Sequence, residues 1–317
     1  MSYRPSFYSE AVFLGIDQIG NLLQISLYEG LAYGLVAIGV YITFRVLSFP
    51  DLTVDGSFPL GGAVAAILII NGVNPWLATA VAFIAGMSAG LVTSLLNTAL
   101  RINALLAGIL MMVALYSVNI MIMGRANIPL LREVTVFDQA AQLFRTDTST
   151  TFSIIFMVIL ITIILVILNW FLRTDIGLAL RATGDNEQMV RGLGGNTNLT
   201  TILGVSVSNG LVALAGAIIA QNQGFSDVGM GIGMIVLGLA SVIIGEGIFR
   251  PRGITGILLA VVGGALAYRL FLGIALRLGL PPADLKLITA ALVVVVLAIP
   301  FIRKKLRHEW IPPAARM

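Results

Sequence analysis

Cysteine is absent from this 317-residue chain, so the sequence excludes disulfide bonds and thiolate metal sites. Histidine occurs once, and His308 lies in a basic C-terminal stretch where a solvated side chain is the simpler interpretation than a metal ligand. Lys286, Lys304 and Lys305 are the only lysines. We therefore expect no metal site in this chain.

Charge is scarce as well. Only 11% of the residues are charged, against about 25% in a typical soluble domain, and 58% are hydrophobic with a mean hydropathy of +0.99. Such a chain lacks the polar surface that a soluble protein needs. The apolar runs are about 20 residues long and do not alternate, which favours membrane-spanning helices over barrel strands.

The apolar runs predict an all-α polytopic membrane protein with about nine transmembrane helices, the count lying between eight and ten. The predicted spans are residues 22–44, 59–70, 76–96, 105–123, 152–172, 199–220, 231–244, 254–272 and 285–302. The second span is short unless it starts earlier, and the seventh is short and rich in glycine, so we expect it to be broken or re-entrant. Residues 1–21 suit an interfacial amphipathic segment, residues 22–302 form one transmembrane domain, and residues 303–317 form a basic tail.

The positive-inside rule orients the predicted bundle. With the basic tail in the cytoplasm, nine spans place twelve basic residues inside and six outside. The polar segment 173–198 then faces the cytoplasm, and the polar segment 124–150 faces the other side. Arg269 lies near an outer helix end, where it could snorkel to the interface.

Glycine is plentiful, with 34 residues. Pairs spaced by four occur at Gly30 and Gly34, at 86 and 90, and at 229 and 233. Small residues at this spacing let helix backbones approach closely in a membrane. We expect ordinary helix packing at these positions.

Catalytic motifs are missing. The sequence contains no P-loop, no H-E-x-x-H, no G-x-S-x-G and no cluster of metal ligands. Glu29, Asp55 and Glu246 lie towards span ends, so we expect no carboxylate at the membrane midplane, where ion-coupled transporters carry them. Neutral polar residues inside the spans could line a pathway or join helices by hydrogen bonds: Asn119, Ser206, Ser208, Asn209, Gln221 and Asn222.

Two carboxylates precede the second span. Asp51 and Asp55 could cap that helix at its cytoplasmic end, or could gate the exit of a pathway.

The polar segment 173–198 predicts a short cytoplasmic helix. Asp185 can cap its N-terminus, with Gln188 completing a capping box, and Gly194 ends it. The helix presents Met189, Val190 and Leu193 beside Glu187 and Arg191. A short capped helix held outside the bilayer could enter a groove on another protein, or could be a solvated loop helix.

Two stretches resemble a known family. GLALRATGDN (residues 177–186) and the following glycine turn resemble the coupling loop of ABC importer permeases in the branched-chain amino-acid, ribose and nucleoside superfamily. TFRVLSFPDLTVDGSF (residues 43–58) closely resembles a branch of these permeases that is sometimes assigned to tryptophan or tyrosine uptake. The resemblance covers nearly the whole chain.

The resemblance implies a type II importer fold and a homodimer in the bacterial inner membrane. Two cytoplasmic ATPase subunits would bind ATP and Mg²⁺, and an extracytoplasmic binding protein would deliver a small solute such as an amino acid. The chain itself would be no enzyme, would hold no cofactor and would bind no nucleic acid. The implied ATPase-coupling residues are Arg181, Asp185, Asn186, Glu187, Gln188, Met189, Val190, Arg191, Leu193 and Gly194.

The expected pathway or gate residues are Asp51, Asp55, Asn119, Ser206, Asn209 and Asn222. The alternative function is a self-sufficient secondary transporter or channel.

Overall fold

The computed structural model describes residues 7–146 and 149–277, together with residues 287, 289–291 and 294. Its helices are α1 (Phe7–Tyr41), α2 (Val54–Ile70), α3 (Pro75–Thr98), α4 (Ala104–Met123), α5 (Val136–Leu143), α6 (Thr150–Phe171), α7 (Asp175–Asp185), α8 (Glu187–Gly192), α9 (Thr197–Gln223), α10 (Met234–Phe249) and α11 (Gly253–Arg277). A π-helical turn (Ile42–Val46) extends α1, and a 3₁₀ turn (Val228–Gly231) precedes α10. Two short strands, β1 (Asn127–Pro129) and β2 (Phe225–Asp227), pair antiparallel.

The described residues confirm an all-α polytopic membrane protein. Seven segments among them are long and apolar enough to cross a membrane: Leu23–Val46, Pro75–Thr98, Ala104–Met123, Thr150–Phe171, Thr197–Gln223, Val228–Phe249 and Gly253–Arg277. Helix α2 is apolar but shorter. These eight segments correspond to the first eight predicted spans.

Both ends of the chain leave predictions open. The predicted ninth span (285–302) and the basic tail (303–317) lie outside the described residues, apart from five positions in the span, so the count of nine stays a prediction. At the other end, α1 runs without a break from Phe7. The interfacial role of residues 1–21 also stays a prediction.

Helix α9 is the centre of the bundle and packs against α1, α2 and α3. Its inner faces carry mostly small residues, which lets neighbouring backbones come close. A Cβ atom at Gly86 or Gly90 of α3 would overlap the backbone of α9, and one at Gly61 of α2 would overlap the carbonyl of Ala213. The packing expected for the glycine pair at positions 86 and 90 is therefore confirmed.

The other two glycine pairs differ from each other. Gly30 and Gly34 of α1 face Leu266 and Val262 of α11, as expected for close helix packing. The pair at 229 and 233 lies where the seventh span is interrupted. Position 229 is in the 3₁₀ turn, and Gly233 has a left-handed φ of 93°, with no described neighbour within 4 Å of the place that a Cβ atom would take. The broken seventh span is confirmed, but its glycines shape a turn rather than a helix contact.

Helix α2 begins within the preceding loop, which is the alternative that the short second span left open. Its first turn starts at Val54, because the Thr53 carbonyl accepts hydrogen bonds from the backbone of residues 56 and 57. Pro59, expected at the start of the span, lies inside the helix. It has no N–H to donate to the Asp55 carbonyl one turn earlier.

Arg269 does not snorkel. Its guanidinium lies 3.0 Å from the Glu29 carboxylate, and its Cζ lies 4.1 Å from the centre of the Tyr33 ring. The acidic and aromatic partners on α1 hold the cation between α1 and α11, since both an ion pair and a cation–π contact stabilise it there.

Candidate coupling helix and transport cavity

Helix α8 is the short helix predicted in the polar segment, but its cap differs from the prediction. Asp185 is the last residue of α7, and Asn186 is the N-cap of α8. The Asn186 side-chain oxygen accepts a hydrogen bond of 2.9 Å from the Met189 backbone N–H. Asn186 is the extended residue that separates the two helices, so it, and not its neighbour, has the backbone conformation of a cap.

The end of α8 is a tight glycine turn. Gly194 has a left-handed φ of 83° and donates a hydrogen bond of 3.0 Å to the Arg191 carbonyl. Gly195 donates one of 2.9 Å to the Val190 carbonyl. This pair of hydrogen bonds is a Schellman motif, and glycine adopts its left-handed position without steric penalty. The predicted stop at Gly194 is confirmed.

Three polar side chains fix α8 to the start of α9. The Arg191 guanidinium donates to Glu187 at 2.6 Å and to the Thr197 hydroxyl at 2.7 Å. The same hydroxyl donates to Glu187 at 3.2 Å. Each member of the triangle contacts the other two, so α8 has a defined orientation on the bundle.

Helix α8 presents one apolar face outward. The side chains of Met189 and Leu193 are 51% and 81% exposed, as predicted. The prediction is wrong for Val190, which is buried against the bundle. Asp185, Glu187, Gln188 and Arg191 surround this face and are also exposed. The helix therefore combines a fixed orientation with unpaired apolar side chains, as a docking element does.

Helix α7 connects α8 to the inner bundle. The Gly184 carbonyl accepts a hydrogen bond of 3.1 Å from the Ser48 hydroxyl, and Gly184 lies directly against the Val46 carbonyl. The Thr183 and Thr200 hydroxyls are 3.0 Å apart. Arg181 is half-buried on the same helix. These contacts join α7 and α8 to the end of α1 as well as to α9.

A cleft of about 730 Å³ separates α8 from the loop between α3 and α4. Its walls are polar and include Arg101, Arg191 and Glu187. The cleft borders the same exposed side of the bundle as α8.

Asp51 lies in a buried polar network. Its carboxylate accepts hydrogen bonds of 2.9 Å from the Thr53 backbone and 2.6 Å from the Asn209 amide. Asn209 in turn accepts a bond of 2.7 Å from Ser57, and Thr53 bonds Thr93 at 2.8 Å. All five side chains are fully buried. Asp51 neither caps α2 nor lines an opening; it joins the loop before α2 to α9.

Asp55 caps a different helix from the one expected. Its two carboxylate oxygens accept hydrogen bonds of 3.1 Å from Gly233 and 2.9 Å from Ile235, at the N-terminus of α10. Gly233 has no side chain that could cap α10, and the N-terminal end of a helix favours a negative charge. The proposed cap on α2 is therefore wrong, since the N-cap residue of α2 is Thr53.

Both carboxylates lie deeper than predicted. Asn209, the partner of Asp51, is the thirteenth of the 27 residues of α9. Gly56, next to Asp55, packs against Met112 and Leu115 half-way along α4. The expectation that no carboxylate lies at mid-depth is wrong, because the chain between Val46 and Val54 turns back into the bundle.

A cavity of about 490 Å³ opens between α2, α4 and the 3₁₀ turn. Its lining residues are Asp55, Gly56, Pro59, Met112, Val113, Tyr116, Ser117, Asn119, Val228 and Ile232. Asp55 is half-buried, and Asn119 is fully buried with its amide N–H₂ donating to the Gly56 carbonyl at 3.2 Å. The Asn119 oxygen accepts no hydrogen bond from any described residue.

The structure thus separates the expected pathway residues. Asp55 and Asn119 share the cavity wall, and Asp51 contacts Asn209 away from it. Ser206 is buried inside the bundle, and Asn222 is exposed near the end of α9. The sequence analysis missed Tyr116 and Ser117, whose helical spacing alone does not distinguish a cavity wall from a lipid-facing side.

The sequence analysis also missed an ion pair. Arg45 donates to Glu246 through two nitrogens, at 3.1 Å and 2.5 Å, and so joins the ends of α1 and α10. The residues stand 201 positions apart, so no local pattern marks them.

The described residues contain no group of three or more His, Asp or Glu that could hold a metal ion.

Residues 22–298 match the family described as the permease component of the branched-chain amino acid transport system. The chain belongs to this permease family. It is a multi-pass membrane protein of a transport family, and the motifs at residues 43–58 and 177–186 correctly indicated the family.

Curated relatives agree with this assignment. The tyrosine transport system permease protein of Clostridioides difficile (strain R20291) is 41% identical over 270 residues, which cover 85% of this chain and 88% of the relative. The galactofuranose transporter permease protein YtfT of Escherichia coli (strain K12) is 26% identical over 84% of this chain and 75% of its own length. Among solved structures, PsaBC from Streptococcus pneumoniae in complex with Fab matches 90% of this chain and 94% of that chain, with a TM-score of 0.51 at 14% identity, and so shares the fold.

Proposed function

We propose that this permease is the membrane subunit of an ATP-driven importer, with α8 as the helix that couples it to a separate ATPase chain. The observation that carries the proposal is the exposed face of Met189 and Leu193 on a helix that Arg191 fixes to α9. An exposed apolar pair on a rigid helix suits insertion into a groove of a partner. The polar cleft beside α8 would receive charged side chains of the same partner.

The coupling step follows from these contacts. Closure of two cytoplasmic ATPase subunits, which would bind ATP and Mg²⁺, displaces α8. The triangle of Glu187, Arg191 and Thr197 passes the displacement to α9. The Asp51–Asn209 hydrogen bond then moves the start of α2 with α9, and α2 forms one wall of the cavity.

The proposed substrate is an aromatic amino acid, delivered by an extracytoplasmic binding protein across the bacterial inner membrane. The similarity to a tyrosine transport system permease supports this substrate class. We propose a homodimer as the assembly, since α6 carries a broad exposed apolar face that lipid or a second copy would cover.

The first experiment purifies the full chain together with its ATPase and measures ATP hydrolysis in nanodiscs. The double variant Met189→Asp with Leu193→Asp should lose the ATPase on purification, because two charges enter an apolar contact. The control is Leu143→Asp with Phe144→Asp, a second exposed apolar pair, which lies at the C-terminal end of α5 on the side predicted to face away from the cytoplasm. An ATPase that stays bound to the α8 variant as it does to the control would overturn the coupling role.

A second candidate function is ion-coupled transport without an ATPase. The mid-depth carboxylates Asp51 and Asp55 favour it, because such groups carry protons or ions in secondary transporters. Their hydrogen bonds to Asn209 and to the N-terminus of α10 argue for structural roles instead. Uptake by the purified chain alone, driven by a proton or sodium gradient, would select the second candidate.

A further inference from the structure

We propose that the cavity between α2 and α4 binds the ammonium group of an amino acid at Asp55 and its apolar side chain against the opposite wall. The inference deepens the proposed function and rests on it, since it takes this cavity as part of the transport pathway. It assigns the recognition of the substrate class to residues of the permease itself.

The charge of the cavity suits an ammonium group. Asp55 is the only charged residue among the ten described residues that line the cavity, so this lining is anionic. Each oxygen of Asp55 accepts one backbone hydrogen bond from α10, and a carboxylate oxygen has room for a second donor. The side chain is half-buried, so an ammonium group that enters the cavity can reach it.

A second acceptor lies in the same wall. The Asn119 side chain is fully buried, and its oxygen accepts no hydrogen bond from any described residue. The orientation of the amide is fixed, because its N–H₂ must face the Gly56 carbonyl, which is an acceptor. A buried acceptor without a donor is unfavourable. The oxygen is closed to solvent in this conformation, so a substrate donor reaches it only when α2 and α4 separate.

The remaining surface is apolar. Six of the ten lining residues carry no polar side-chain group, including Met112, Val113 and Ile232. A sugar in this cavity would leave several hydroxyls without hydrogen-bond partners, which is costly. An aromatic or large aliphatic side chain fits such walls, and a volume of about 490 Å³ lies in the range of small-molecule sites.

The hydroxyls of Tyr116 and Ser117 complete the lining on α4. Both residues are exposed and can donate a hydrogen bond. They are the donors available to a substrate carboxylate. The cavity therefore provides an acceptor for the ammonium group, donors for the carboxylate and an apolar wall for the side chain.

The absence of cysteine permits a clean binding test. Val113→Cys introduces a single thiol in the cavity wall, and Val134→Cys introduces one in the polar segment before α5, where 48% of the residue is exposed against 61% at Val113. The full chain in nanodiscs is labelled with a maleimide in the presence of L-phenylalanine, L-tyrosine, 3-phenylpropionate or D-ribose. Labelling requires neither ATP nor the ATPase, so its outcome is independent of the coupling experiment above.

We expect both amino acids to slow labelling at position 113 and not at position 134. Neither 3-phenylpropionate, which lacks the amino group, nor D-ribose should protect. Adding Asp55→Asn should raise the amino-acid concentration needed for protection by about tenfold or more, the effect of one hydrogen bond to a charged group. If Asp55→Asn prevents folding, the comparison of L-phenylalanine with 3-phenylpropionate in the Asp55 protein decides the question.

Several results would overturn the inference. These are equal protection by 3-phenylpropionate, protection that Asp55→Asn leaves unchanged, protection by D-ribose, and no protection by either amino acid. A protein that shows ATP-driven transport without cavity protection would keep the proposed function and lose this site. A protein that shows cavity protection but has no ATPase partner would keep this site and lose the proposed function.

Discussion

The Asp51 carboxylate lies 2.6 Å from the amide nitrogen of Asn209, although 158 residues separate them in the chain. Both side chains are fully buried, and each makes further hydrogen bonds within the same network. This contact joins the loop before α2 to the middle of the central helix. It fixes the depth at which α2 begins, and therefore the position of Asp55 in the cavity wall.

Removal of the Asn209 amide should destabilise the bundle. Asn209→Leu has a similar volume but removes the amide that donates to Asp51 and leaves the Ser57 hydroxyl without this acceptor. We expect a loss of about 2 kcal/mol, in the range for an unpaired buried polar group. The measurement is the thermal unfolding midpoint of the purified full chain in detergent.

Asn222→Leu is the matched control, because Asn222 lies on the same helix and is exposed. Its unfolding midpoint should stay close to that of the unmodified protein. Equal midpoints for the two leucine variants would show that the buried network contributes little to stability.

The Arg191 triangle should matter for coupling more than for stability. Arg191 and Glu187 are both more than half exposed, and exposed ion pairs contribute about 1 kcal/mol at most. Arg191→Ala should therefore leave the unfolding midpoint nearly unchanged, yet lower ATP-driven uptake several-fold, because α8 loses its connection to Thr197. Uptake into proteoliposomes that contain the complete transporter measures this.

Arg132→Ala is a suitable control for that variant, since Arg132 is also exposed but lies far along the chain from α8. If both variants transport equally well, the triangle does not transmit the movement of α8.

The ion pair between Arg45 and Glu246 allows a charge exchange. Arg45→Glu alone should impair uptake, because two carboxylates then face each other where α1 and α10 end. The double variant Arg45→Glu with Glu246→Arg should recover part of the uptake. A double-mutant cycle on initial uptake rates measures the coupling between the two positions. If the loss of uptake in the double variant equals the combined losses of the two single variants, the ion pair has no role in transport.

Helix positions could be predicted from the sequence, because apolar length marks a span directly. The predicted fourth, fifth and eighth spans agree with α4, α6 and α11 to within a few residues at most ends. The sequence left open that α2 starts within the preceding loop, but not at which residue, because Thr53 and Asp51 are held by Thr93 and Asn209, which are distant in the chain. Hydropathy shows which residues avoid water, but it does not show which polar groups find partners.

The site shows the same contrast. The short helix and its glycine stop depend on neighbouring residues, so the sequence predicted both, and it missed the cap by one position. Asp55 contacts Ile235, which is 180 positions away in the chain, so its role as the cap of α10 could not be predicted from the sequence. The sequence therefore predicts features that depend on neighbouring residues, but it does not predict which distant residues form hydrogen bonds with each other.

A very close contact between α2 and α9 predicts that alanine has opposite effects on stability at two helical glycines. Gly61 of α2 lies so near the Ala213 carbonyl that a Cβ atom would overlap it, whereas Gly247 of α10 has no atom within 4 Å of that position. Gly61→Ala should push α2 away from α9 and cost about 1–3 kcal/mol, as overpacking of a core does. Gly247→Ala should be neutral or stabilise by up to about 1 kcal/mol, because alanine favours the helix.

Thermal unfolding of the two variants side by side measures this difference, and the yield of folded protein gives a second readout. Both changes add one methyl group to a helical glycine, so helix propensity acts in the same direction in each. A lower midpoint for Gly61→Ala therefore reports the contact with α9 alone. Equal midpoints would mean that α2 and α9 can move apart without a loss of stability. Close packing would then not hold α2 in place, and the buried Asp51–Asn209 contact would have to do so.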